Sequence, residues 1–186
     1  MLPLLTLISL GVGLGGATLV GVSVKGLIIT GFIDSIRSLL YVDDVIKMFA
    51  LVEKEISATL LMIGDGPDRY KMEALCREMG LCDKIRFLGK QEAVEELLAI
   101  SDIFVMPSEN ESFGLAALEA MACQVPVISS NVGGIPEVNI DGVTGYISSV
   151  GDIEAMAKNA LSILKSEEEL TKFRKAALTQ AERFSI

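Results

Sequence analysis

Ile103-Phe104-Val105-Met106-Pro107-Ser108-Glu109-Asn110-Glu111-Ser112-Phe113-Gly114-Leu115-Ala116-Ala117-Leu118-Glu119-Ala120-Met121-Ala122-Cys123-Gln124-Val125-Pro126-Val127-Ile128-Ser129 sets the fold class. The apolar run 103–106 does not alternate with polar residues, so it reads as a strand covered on both faces. A polar, turn-forming loop follows, then an Ala/Leu-rich helical pattern from Gly114 to Cys123, then a second apolar run from Val125 to Ser129. Strand, helix and strand in this order form a crossover unit, the building block of a parallel sheet.

The same unit recurs upstream. Lys25 to Thr30 is a short apolar strand, and from Val42 to Lys54 the residues Val42, Val45, Ile46, Phe49 and Val52 share one helical face. Ala58 to Ile63 is a strand ending in Gly64-Asp65-Gly66-Pro67, where glycines permit a tight turn and Pro67 suits the first position of a helix running to Met79. Lys84 to Leu88 and Gln91 to Ile100 add a strand and a helix. Downstream, two helices near Asp152–Leu164 and Glu167–Phe184 carry alternating charges on their outer faces. Residues 25–186 are therefore expected to form one α/β domain, a doubly wound parallel sheet, with no linker and no solenoid-scale repeat.

Residues 1–24 stand apart. Lys25 is the first ionisable side chain, and no basic region precedes the apolar stretch as a secretory signal requires. The length would span a bilayer, yet Pro3, five glycines and the alternation in Leu19-Val20-Gly21-Val22-Ser23-Val24 favour buried strands or an ill-packed remnant. Gly11-x-Gly13-x-x-Gly16 matches a dinucleotide fingerprint, but strand pattern follows it instead of the helix that would hold a pyrophosphate. The acidic residue that fingerprint needs, near Asp34, lies past a second strand. The segment is left unassigned.

Composition narrows the chemistry. The chain of 186 residues carries a formal charge of −9 and no histidine. It lacks the basic footprint of a nucleic-acid binder. Catalysis by Ser-His-Asp or Cys-His, and imidazole metal ligation, are excluded by inventory. Cys76, Cys82 and Cys123 are odd in number and set in helical pattern, which reads as a reduced core and a cytoplasmic protein.

In doubly wound sheets ligands sit outside the carboxyl ends of the strands, so the loop from Pro107 to Gly114 is the richest candidate. The helix it opens offers unpaired amides and partial positive charge, suited to a diphosphate. Glu111 and Glu119 would flank that anion, so as ligands they make sense as acceptors for sugar hydroxyls. Each also has a plainer reading: Glu111 as an acid favoured by the helix dipole, Glu119 as a solvated helix position.

The motif Glu111-Ser112-Phe113-Gly114-Leu115-(x)3-Glu119-Ala120-Met121-Ala122-Cys123-x-Val125-Pro126-Val127-Ile128, with Gly133-Gly134-Ile135-Pro136-Glu137-Val138 and Gly142-x-Thr144-Gly145-Tyr146, resembles the C-terminal half of retaining GT-B glycosyltransferases of family 4. Phe87-Leu88-Gly89-Lys90-Gln91 and Ile63-Gly64-Asp65-Gly66-Pro67 extend the likeness from about Val42 to Phe184. The resemblance implies a Rossmann-like domain that binds a UDP-sugar as substrate, with no metal and no other cofactor. The members it most resembles belong to bacillithiol biosynthesis, which implies UDP-GlcNAc as donor and a small acceptor such as L-malate.

The roles it implies are these. Glu111 holds donor-sugar hydroxyls and Glu119 the nucleotide ribose. Ser112, Phe113, Gly114 and Leu115 line the donor, with the amides of Gly114 and Leu115 meeting diphosphate and sugar. Arg86 and its neighbours match a strand end whose backbone reads uracil. Arg37 keeps a phosphate-binding arginine that acts in catalysis beside Glu111, whereas Leu40 stands where the family has a lysine. The family's acceptor site lies in a preceding domain unmatched here, so an N-terminal half or a second copy is the expected partner. A module that binds the donor without transferring it is the alternative reading.

Other features read as structural. Asp43-Asp44 is expected as a helix N-cap with first-turn charge, not a metal site. Glu92, Glu95, Glu96 and Glu167 to Glu169 read as solvated first-turn acids, and Met72, Met79, Met121 and Met156 as core filling. Gln124, where the family has glycine, is expected to close a helix at some cost.

Overall fold

The computed structural model describes residues 26–31, 42–66 and 69–184. In chain order the elements are β1 (Leu27–Gly31), α1 (Val42–Glu53), β2 (Thr59–Ile63), α2 (Arg69–Glu78), β3 (Ile85–Gly89), α3 (Val94–Ala99), β4 (Ile103–Met106), α4 (Leu115–Ala122), β5 (Val127–Ser130), α5 (Ile135–Val138), β6 (Gly145–Ser148), α6 (Ile153–Leu164) and α7 (Glu167–Glu182). Among the described residues the strands form one sheet in the order β3-β2-β1-β4-β5-β6, every pair parallel. The expected doubly wound α/β architecture is thus what the chain adopts.

Strand alternation sorts the core into two layers. Ile28, Leu60, Met62, Ile103, Val105 and Ile128 face a cluster completed by Val45, Ile46 and Phe49 of α1, Met72 of α2, Met156 and Ile163 of α6 and Phe173 of α7. Leu27, Ile29, Leu61, Ile63, Phe104, Met106 and Val127 face the other, with Leu97 of α3, Ala117, Ala120 and Met121 of α4, Ile135 and Val138 of α5 and Ala177 of α7. Strands covered on both faces cannot alternate apolar with polar, which is why they read as continuous runs.

The amino edge of the sheet is tied by side chains. Asp102, just before β4, accepts the amides of Gly26 (3.1 Å) and Leu27 (2.8 Å), and its other oxygen meets Arg174 Nη2 of α7 at 2.7 Å. Lys84 Nζ reaches Glu53 Oε1 at 3.3 Å across the ends of α1 and β3.

Several sequence expectations need correction. α5 and β6 were not anticipated: a four-residue helix shows no periodicity, and β6 is a short edge strand. α3 spans 94–99 instead of 91–100, because Gln91 Nε2 turns back to Leu88 O at 2.6 Å and the intervening residues are used in the turn. β5 begins at Val127, since Pro126 has no N–H to donate, although its carbonyl accepts Phe104 N at 2.9 Å. Asp43 and Asp44 lie inside the first turn of α1, paired with Lys47, and are not its N-cap. Met79, past the end of α2, is 38% exposed, while Met72, Met121 and Met156 are buried. Gln124 sits at φ 63°, the strained left-handed closure expected after α4. Cys76 is buried, Cys123 half-buried and Cys82 exposed, so the three are not a common core. The expectations for residues 1–24 and for Pro67 fall outside the described residues.

Candidate functional site at the carboxyl edge

The strand order reverses direction between β1 and β4, which are paired through Ile28↔Ile103 and Ile29↔Phe104. Loops leaving the carboxyl ends of two such strands run to opposite faces and open a crevice between them. The loop after β4 carries Glu111, Ser112, Phe113 and Gly114 and delivers Leu115 as the first residue of α4. Arg37 and Leu40, between β1 and α1 in the sequence, lie outside the described residues.

Glycines hold the β4 loop in place. A Cβ on Gly133 would fall 1.6 Å from Glu111 O, and one on Gly134 would fall 2.7 Å from Ser112 O. The 111–112 backbone therefore lies flat on the 133–134 backbone, an approach that only glycine allows. Gly114 then turns into α4 at φ 90°, in the left-handed region. The ring of Phe113 meets Phe184 edge-on at 5.8 Å and 77°, so the far end of α7 supports the loop from the side.

Glu111 bends back over the helix start. Its Oε1 accepts Gly114 N at 3.1 Å and Phe113 N at 3.4 Å. This is the dipole-favoured position of the plainer reading, and it leaves the amides of Leu115, Ala116 and Ala117 without an intrahelical acceptor, as in any first turn. Leu115 is 65% exposed and Glu119 is exposed one turn on, so the helix start is open to solvent. Cys123, after the last turn, has its thiol pushed up by burial and by the Glu95 and Glu119 carboxylates, which marks it as an inert neighbour of the site.

Arg86 is not brought to this edge. It is the second residue of β3, and its Nη1 turns to Cys82 O (3.3 Å) and Ile85 O, toward the amino end. The β3 residues that do reach the carboxyl edge are Leu88 and Gly89, with Gly89 O accepting Gly64 N at 2.8 Å. Gly64, Asp65 and Gly66 stand beside them, Asp65 Oδ1 accepting Gly66 N at 3.0 Å. The composition of that turn made it visible in the sequence as a turn, whereas its contact with the end of β3 is seen only in the structure.

A model of the glycosyl transferases group 1 family matches residues 22–180. The chain belongs to that family. It is 48% identical over 136 residues to the N-acetyl-alpha-D-glucosaminyl L-malate synthase of Bacillus anthracis, covering 73% of this chain and 36% of that enzyme. To the sulfoquinovosyl transferase SQD2 of Arabidopsis thaliana it is 33% identical, covering 73% of this chain and 27% of that one. The chain thus spans about a third of the length of the curated relatives it matches. Among solved structures, WaaG, a glycosyltransferase of lipopolysaccharide biosynthesis, superposes with TM-score 0.80 at 20% identity over 98% of this chain and 48% of its own. HepE of Anabaena, solved in complex with UDP and glucose, gives 0.75 at 21% identity over 86% of this chain and 44% of its own. These likenesses agree with the GT-B resemblance read from the motifs. Among the described residues, no helix is long and apolar enough to cross a membrane.

Proposed function

We propose that this domain is the donor-binding half of a retaining glycosyltransferase. It takes a UDP-sugar, UDP-GlcNAc, at the carboxyl edge between β1 and β4, for transfer to a small acceptor such as L-malate. The observation that supports it best is the β4 loop itself, seated on Gly133–Gly134 at the switch point with the open amides of α4 behind it. Those amides suit a diphosphate, because they supply donors and partial positive charge without bringing a mobile counterion. Glu119 would accept the ribose hydroxyls. Glu111 would exchange its bonds to Gly114 N and Phe113 N for sugar hydroxyls as phosphate oxygens take over the amides. Arg37 would add a cation to the departing UDP, whose stabilisation is where such a site accelerates transfer.

Transfer also needs a surface that positions the acceptor, which the resembled enzymes carry in a preceding domain. This span by itself therefore acts as a UDP-sugar binding module, and the enzyme reading applies to its combination with such a half in a cytoplasmic protein.

Calorimetric titration with UDP tests the site. Glu119→Ala should weaken binding by about 1.5–3 kcal/mol, the cost of removing a charged acceptor from a desolvated diol. Unchanged affinity would remove Glu119 from the ribose. UDP-GlcNAc incubated with L-malate should yield glycoside only once an N-terminal half is supplied. Product from this chain alone would overturn the binding-module reading.

A further inference from the structure

At the opposite edge of the sheet two thiols meet. Cys76 lies in the last turn of α2 and is 2% exposed, and Cys82 is exposed in the connection to β3. Their sulfurs are 2.7 Å apart. A disulfide bond is about 2.05 Å long, so joining them asks for little movement.

The approach is built by the backbone. α2 ends with Gly80 at φ 68°, Gly80 N donating to Arg77 O at 3.1 Å and Leu81 N to Cys76 O at 2.9 Å. This paired closure is a Schellman motif, which reverses the chain in a fixed geometry. Leu81 is buried, and Lys84 N and Ile85 N both return to Leu81 O, so the residues on each side of Cys82 are anchored. Arg86 Nη1 holds the Cys82 carbonyl from the strand side.

The pair opens on a shallow cavity of about 270 Å³, lined also by Arg69, Arg77, Arg86 and Glu73. Three guanidinium groups against one carboxylate favour an anionic visitor. Arg69 is partly engaged, with Nε on Glu73 Oε1 at 2.9 Å and its guanidinium over the Phe87 ring at 6.0 Å.

We propose that Cys76 and Cys82 form a thiol–disulfide modification site that reacts with small, carboxylate-bearing disulfides and closes to an intrachain bond. The proposed donor site does not use these residues. The order of events follows from exposure. Cys82 loses its proton and attacks one sulfur of the visitor; the visitor's S–S bond breaks, and the leaving thiolate takes up a proton. Cys76 then loses its proton and attacks the Cys82 sulfur of the mixed disulfide, expelling the second half as a thiol. Two protein thiols are oxidised and one disulfide is reduced to two thiols. Before the reaction Cys76 stays protonated: burial first, then the bond and charge of Cys82, push its thiol up to about 12. The buried partner therefore resolves and does not initiate.

The test is incubation of the native chain with oxidised glutathione, followed by intact mass and peptide mapping without reduction. The expected product has lost two hydrogens, links the peptides containing Cys76 and Cys82, leaves Cys123 free and reverts with dithiothreitol. Cys76→Ser should stop at a single glutathionyl group on Cys82. Cys76→Ala serves the same purpose if a buried hydroxyl disturbs the fold. Cys82→Ser should leave Cys76 unmodified. A native chain that stays fully reduced, one that retains glutathione on Cys82 without closing, or a bond that includes Cys123 would each overturn the proposal.

Discussion

At the amino edge of the sheet side chains reach over to satisfy backbone groups, as Asp102 does for Gly26 and Leu27 while its other oxygen pairs with the Arg174 guanidinium. At the carboxyl edge backbone lies on backbone, Glu111–Ser112 against Gly133–Gly134, and Leu115 at the start of α4 is exposed. The first arrangement leaves little for a ligand to bind and fixes the strands. The second needs close packing without side chains, because any side chain between the two loops would displace the one that has to meet the ligand. The contrast separates a stabilising edge from a binding edge in one sheet, and it can be broken at either end.

The largest effect is expected at Gly133. Gly133→Val puts a branched side chain where a single Cβ already falls 1.6 Å from Glu111 O, at a φ of 52° that valine does not favour. The variant should lose about 2–5 kcal/mol of stability and bind no UDP. Wild-type melting and UDP titration curves would show that the loop is not seated on the glycines.

Asp102→Asn comes next. The amide keeps one acceptor but loses the charge facing Arg174, and the urea midpoint should fall by the equivalent of about 1–3 kcal/mol. UDP affinity should not change, because no part of the contact reaches the carboxyl edge. A loss of affinity equal to the loss of stability would mean that the two edges are not independent.

The smallest effect belongs to Asp44, at the start of α1 near the carboxyl edge. Burial first, then the neighbouring Asp43, raises its pKa above the ordinary 3.8, with Lys47 opposing. A carboxyl whose folded pKa is raised contributes stability below its unfolded pKa and loses it as pH climbs through the folded value. The stability of wild type relative to Asp44→Asn should therefore decline from acid to neutral pH. Urea midpoints of both proteins at two pH values measure it, and a difference that grows toward neutral pH would reverse the assignment.

What could be read from the sequence follows the same division. The five strands up to Ser130 were legible because burial on both faces makes them unbroken apolar runs, and α1, α6 and α7 because their apolar stripes repeat over three turns or more. β6 was hidden: Gly145-Tyr146-Ile147-Ser148 is short, half-covered and preceded by turn residues. At the site, the acidic pair and the helix start were visible as chemistry, and the family motif assigned their roles. The grip of Gly133–Gly134 on the loop was not visible, since glycine spacing does not say what approaches it. The direction of the Arg86 side chain was not visible either, because a long strand side chain can turn toward either end of the sheet. Cys76 and Cys82 read as two separate helical residues, and only the reversal at Gly80 brings them together.

α7 touches both edges. Arg174 grips Asp102 at one, and Phe184, about 15 Å farther along the helix axis, leans on Phe113 at the other. Between them Gln180 Nε2 is fastened to Glu137 O at 3.3 Å. In mechanical terms the helix is a strut bolted to the frame at one end and braced against the β4 loop at the other. One helix thus joins the edge that fixes the strands to the side support of the β4 loop.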